Sequence, residues 1–242
     1  MRSKFNRREL LSGVAAGAAA TLSGDRLAAR TVAGEIPWAP GDANKPDIAM
    51  GQDYQYLTAD EAKFIEAAVA RLIPADDLGP GAKDAGAALF IDRQLLGAYG
   101  AATNWYMQGP WADGEETQGY QSRMTPAQLY RAAIKTVDEH CRKTFGGKAF
   151  SALAVEQQDR VLTSLEKDEI KFNPIKGKAF FNLLLQNTIE GFFSDPIYGG
   201  NRDKAGWKLI GFPGAIAVHR DNVEKYRGKK YTADILGIAD LS

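Results

Sequence analysis

The chain contains one cysteine, Cys141, and two histidines, His140 and His219. These three side chains would have to supply any thiolate, imidazole base or soft metal site. Covalent haem attachment needs Cys-x-x-Cys-His, which a single cysteine cannot provide. Neither histidine sits in the His-Glu-x-x-His spacing of a helical zinc site. His140 and Cys141 are adjacent, and neighbouring helical positions point to different faces. The imidazole is therefore badly placed to act as a base for the thiol. Cys141 reads as a small buried hydrophobe, and His140 as a packed or surface side chain. The acidic pairs Asp76-Asp77 and Asp168-Glu169 follow expected helix ends and read as solvated surface. No Gly-x-Gly-x-x-Gly follows a strand, and no Walker-type loop is present. The expectation is a chain with no catalytic, cofactor-binding or metal-ligating residue.

Two segments are specified in another way. Residues 100–124 lack a period but hold Trp105, Tyr106, Trp111 and Tyr120 among several glycines, with Gly109-Pro110-Trp111 inside. Loops this long in a compact domain are uncommon and often functional. The second segment is Asp195-Pro-Ile-Tyr-Gly-Gly-Asn-Arg-Asp203, followed by Gly206-Trp207 and Gly211-Phe-Pro-Gly214. Asp195 can cap local amides, and Gly199, Gly200 and Asn201 admit positive φ. Arg202 and Asp203 can pair with each other or with a partner. Rigid aromatic area is enriched at interfaces. Trp105, Trp111, Asp195, Tyr198, Asn201, Arg202, Trp207 and Phe212 are therefore the candidate partner interface. The competing reading is a self-packed loop over the long Phe-rich helix.

The elements that would carry these loops are helical. Thr58 with Glu61 is a capping box, and Phe64, Ile65, Ala68, Val69, Leu72 and Ile73 follow at helical spacing until Pro74. A turn spans 75–82, and a second helix is predicted from about Asp84 to Tyr99. Thr125-Pro126 opens a long helix with Leu129, Tyr130, Ala133, Ile134, Val137, Cys141 and Phe145 on its apolar face, closed by Gly146-Gly147. Further helices are predicted over Val155–Lys167 and Lys178–Phe193. In the latter, Phe180, Phe181, Leu184, Leu185, Thr188, Ile189, Phe192 and Phe193 recur at i, i+3/i+4. Asp195-Pro196 ends that helix, and a short helix is predicted near Ala233–Leu236. No run alternates with period two, so the fold class is all-α: a single compact helical domain over 56–242 with long aromatic and Gly-rich loops.

The N-terminus is different. Arg2, Lys4, Arg7 and Arg8 precede an uncharged Ala/Gly-rich run from Leu10 to Leu22. This is the layout of a signal peptide, and the run is shorter than the ~20 apolar residues of a membrane span. Arg7 and Arg8 followed by Leu10 and Leu11 resemble the twin-arginine signal, an address for folded cargo. The expectation is a signal peptide over 1–33, then an extended Pro/Gly/Asp-rich arm over 34–55. Residues 1–33 carry six basic and two acidic side chains, while the 242-residue chain is neutral. The remainder is therefore mildly acidic, at about −4, against the basic surface that nucleic-acid binding needs.

Several blocks together are similar to the gluconate 2-dehydrogenase subunit 3 family. They are Leu57–Ile91, Gly109-Pro-Trp111, Thr125-Pro-Ala-Gln-Leu-Tyr-Arg131, Phe193–Asp203 and Gly206-Trp-Lys-Leu-Ile-Gly-Phe-Pro-Gly214. The resemblance covers about residues 55–220. It implies a small subunit of a periplasmic, inner-membrane-associated sugar or sugar-acid dehydrogenase. It further implies an FAD-containing large subunit and a multihaem cytochrome c as partners, with FAD and c-type haem on those chains. The small subunit would bring the large one to the twin-arginine translocase and support its maturation. The resemblance carries no catalytic residue onto this chain. Two alternatives stand beside it: a stand-alone periplasmic carbohydrate-binding module using Trp105, Trp111, Tyr198 and Trp207, and a catalytic protein of another type.

Overall fold

A computed structural model of the chain describes residues 53–112, 114–170, 176–215, 219 and 222–241. The expected signal peptide and most of the expected arm lie outside them. The described residues belong to the compact unit Asn44–Ser242. Among them are seven α-helices and no strand: α1 (Ala59–Leu72), α2 (Ala87–Leu96), α3 (Pro126–Thr144), α4 (Val155–Glu166), α5 (Gly177–Phe193), α6 (Ala205–Ile210) and α7 (Asn222–Lys225). None is long and apolar enough to cross a membrane.

Local signals explain where α1 and α3 begin. Thr58 Oγ1 accepts from the Glu61 amide while the Glu61 carboxylate accepts from the Thr58 amide. Thr125 and Gln128 make the same reciprocal pair at α3, with Pro126 at its first position. Each pair satisfies donors that a helix start otherwise leaves open. At the other end of α3, Gly146 and Gly147 both take positive φ, and the Gly147 amide closes on the Arg142 carbonyl at 2.8 Å.

Two predicted helices differ. The second begins at Ala87 and ends at Leu96, inside the expected Asp84–Tyr99. Gly86 sits at φ +80°, in the left-handed region, so the helix cannot extend back through it. The predicted helix at Ala233–Leu236 is absent. There the backbone pairs as an isolated bridge between Leu236 and Gly214, with the Ala215 amide on the Leu236 carbonyl. Helical propensity in four residues cannot compete with that pairing.

α5 is the central element. It packs most extensively on α2 and α4, and also touches α1, α3 and α6. Phe180, Leu184 and Phe192 are fully buried from α5, against Phe64 and Ile65 of α1, Ile91 of α2, Tyr130 of α3 and Leu165 of α4. Phe64 lies 4.7 Å from Phe150 and 6.4 Å from Phe180 by ring centroids, and Tyr130 meets Phe180 edge-on at 5.5 Å. Burying each such ring contributes about 1.5–3 kcal/mol. One side of α5 stays open: Ile189, expected inside, is 44% exposed. The inward stripe instead takes Leu183 and Asn187.

Candidate functional site at the C-terminal half of α5

A helix ends with carbonyl groups that have no partner within it. At the end of α5 the segment after Asp195 supplies those partners. The Asn201 amide donates to the Gly191 carbonyl at 2.9 Å. Its side-chain Nδ2 donates to the Ser194 carbonyl at 2.7 Å, and its Oδ1 accepts from the Gly206 amide at 2.8 Å. Trp207 Nε1 donates to the Phe193 carbonyl at 2.7 Å. Asn201 holds φ +45°, a conformation its short side chain tolerates better than most. Gly200 and Gly206 lie against the Gly191 and Phe192 carbonyls so closely that a Cβ on either would collide with that backbone. The Arg202 amide then bonds the Ala85 carbonyl at 2.9 Å, tying the end of α5 to the approach to α2.

This geometry revises the expected interface. Asn201 is fully buried and Trp207 only 5% exposed, so both face this chain's own interior. They hold the loop in place, as polar groups must when buried. Phe212 is half-buried with its ring 5.2 Å from that of Trp207. Asp195 is half-buried and caps the following turn, its Oδ1 accepting from the Ile197 amide at 3.1 Å. Tyr198, at 49% exposure, and Arg202 remain on the surface. Arg202 and Asp203 make no ion pair with each other among the described residues. With Trp207 turned inward, its neighbours on α6 turn out: Leu209 and Ile210 are 45% and 60% exposed. Sequence reasoning missed both. The available signal was a helix of six residues carrying Trp207, Leu209 and Ile210, too short to bury all three.

The aromatic loop packs on Tyr99, which bonds to the same half of α5. Trp105 is edge-on to Tyr99 at 5.6 Å and lies 4.9 Å from Tyr120. Trp111 is half-buried, and Tyr106 is largely exposed. Tyr99 and Tyr130 both donate to Asn187 Oδ1, at 3.0 and 2.8 Å, and Asn187 Nδ2 donates to Glu190 at 3.0 Å. Burial pushes the Tyr99 phenol up to about 12 and Tyr130 well above its usual value. Both phenols thus stay protonated at neutral pH and serve as donors. Asn187 carried a sequence signal, an amide beside Thr188 among the apolar positions of α5, but it was not among the residues singled out there.

A second polar anchor was also missed. Asp92, fully buried on α2, accepts from the amides of Gln55, Tyr56 and Leu57 at 2.8–2.9 Å and pairs with Arg93 at 2.8 Å. Arg93 reaches the Asp53 carbonyl, and Arg131 lies over the Tyr56 ring. The last residues of the expected arm are therefore clamped onto the helices.

The candidate chemical residues are scattered. Cys141 is fully buried on α3. Burial, reinforced by Asp138, pushes its thiol up to about 12. At pH 8 the folded chain is expected to react with a maleimide or iodoacetamide at least about 100-fold more slowly than the denatured chain, because the thiolate is the nucleophile. Labelling of the native protein at the denatured rate would contradict this. His219 lies in the tail, with Tyr231 3.4 Å from its Nδ1. No group of three or more His, Cys, Asp or Glu among the described residues is arranged to hold a metal ion.

A family model described as gluconate 2-dehydrogenase subunit 3 matches residues 59–214, from the first residue of α1 to the glycine that pairs with Leu236. No curated protein and no solved structure matches the chain.

Proposed function

The chain belongs to the gluconate 2-dehydrogenase subunit 3 family, and from that premise we propose that it serves a dehydrogenase complex as its small, non-catalytic subunit. The partner is an FAD-containing large subunit acting on a sugar or sugar acid, and a multihaem cytochrome c accepts the electrons. FAD and c-type haem reside on those chains. In this reading the small subunit carries the twin-arginine address, escorts the folded flavoprotein to the periplasm and stabilises it there. The observation that carries the proposal is the family match across 59–214, which takes in α1 to α6 and the capping loop. Arg7, Arg8, Leu10 and Leu11 support the export part from the sequence.

The outer surface of the capping loop and α6 suits a docking role. Tyr198, Leu209 and Ile210 are exposed apolar groups held on a loop whose backbone is tied to α5 and to the turn before α2. A preordered loop loses little entropy on docking. The carbohydrate-binding alternative loses one of its stacking residues, because the Trp207 ring is buried.

Co-expression tests the proposal. The flavoprotein made with this chain is expected to accumulate in the periplasm, FAD-loaded and active. Made alone, it is expected to stay in the cytoplasm or be degraded. Equal periplasmic activity in both cases would overturn the escort role.

A further inference from the structure

The tail beyond the family match returns to the capping loop. Lys204 Nζ contacts Asp240 Oδ2 at 2.6 Å and the Ile235 carbonyl at 2.7 Å. Asp240 Oδ2 also accepts from the Gly237 amide at 2.7 Å. Asp195, which caps its own turn through Oδ1, uses Oδ2 to accept from the Ile238 amide at 2.8 Å. The Leu236 backbone pairs with Gly214 and Ala215. These anchors are all polar. Ile238 and Leu241 are 37% and 45% exposed, and among the described residues no hydrophobic side chain after Trp207 is buried. Between tail and loop lies a cleft of about 720 Å³ lined by Pro196, Asp203, Lys204, Lys208 and residues 233–236.

We propose that residues 235–241 form a detachable strap over the capping loop, pinned by the Lys204–Asp240 pair and by Asp195, that opens while the helical body stays folded. A segment held by hydrogen bonds and one partly exposed ion pair opens at a lower free energy than elements held by buried apolar area. Opening frees one carboxylate oxygen of Asp195 and the Lys204 ammonium together, widening the cleft beside Pro196. The strap thereby covers the Asp195 and Lys204 side of the loop and leaves Tyr198, Leu209 and Ile210 exposed. A short segment offering a carboxylate beside free backbone amides could take its place. The strap's existence is independent of the escort reading.

Hydrogen exchange on the full chain, followed by mass spectrometry, tests this. In the wild type, peptides covering 235–241 are expected to exchange faster than those of α5, and faster still in 0.5 M salt. Asp240→Asn keeps the shape but removes the charge, and Lys204→Met removes the other partner. Each is expected to raise strap exchange about tenfold while leaving α1–α5 unchanged. Strap exchange as slow as that of α5 and unmoved by either variant would overturn the proposal. So would acceleration of α5 equal to that of the strap.

Discussion

Replacing Trp207 with Ala is expected to lower the stability of the helical domain by about 3–5 kcal/mol, the usual cost of emptying a buried aromatic site. The indole is 5% exposed, touches Phe212 and donates to the Phe193 carbonyl. Truncation leaves a cavity and also strands that carbonyl at the end of α5. The loss shows as a drop in the denaturation midpoint of the isolated subunit. Trp111→Ala is the contrasting change: its ring is half-buried in the aromatic loop. That variant is expected to keep a melting temperature near wild type and to co-purify less of the flavoprotein. If Trp207→Ala were as stable as wild type and merely failed to co-purify, Trp207 would belong to the interface after all. If Trp111→Ala retained the complex in full, the aromatic loop would lie outside the interface.

Replacing Arg7 and Arg8 together with Lys is expected to reduce periplasmic dehydrogenase activity at least about tenfold, with active flavoprotein retained in the cytoplasm. The twin-arginine signal is a receptor-read address, and Lys keeps the charge while losing the planar fork. The double substitution therefore separates recognition from simple basicity. Undiminished periplasmic activity would show that the flavoprotein travels without this leader. A loss of this subunit alone, with the flavoprotein still exported, would show that the address serves only its own chain. The Arg pair lies outside the residues the structure describes, so this test rests on the sequence.

What could be read without the structure was local. The capping boxes at Thr58 and Thr125, the glycine pair after α3 and the apolar stripe of α5 all act within a few residues of one another. Their periodicity reports helix and face directly. The same locality explains the misses. Gly86 shortens α2 because the chain there is already turning with φ +80°. Ala233–Leu236 is non-helical because Gly214, about twenty residues earlier, pairs with it. Asp92 and Asn187 are polar residues in apolar runs, and nothing nearby in sequence names their partners. Those partners are the amides of 55–57 for one and Tyr99 and Tyr130 for the other.

By itself the sequence determined the all-α class, the starts of α1 and α3, the lack of haem-attachment spacing and, through its motif blocks, the family. These follow from neighbouring residues or from composition, which need no third dimension. Only the tertiary structure decided which way the loop after α5 faces. Trp207 and Asn201 turn inward because the end of α5 has open carbonyls that they satisfy, and a buried unpaired carbonyl costs more than an exposed aromatic ring gains. Leu209, Ile210 and Tyr198 are left outside as a consequence. Whether a side chain caps its own helix or waits for a partner depends on contacts between distant segments, and a list of residues does not contain them.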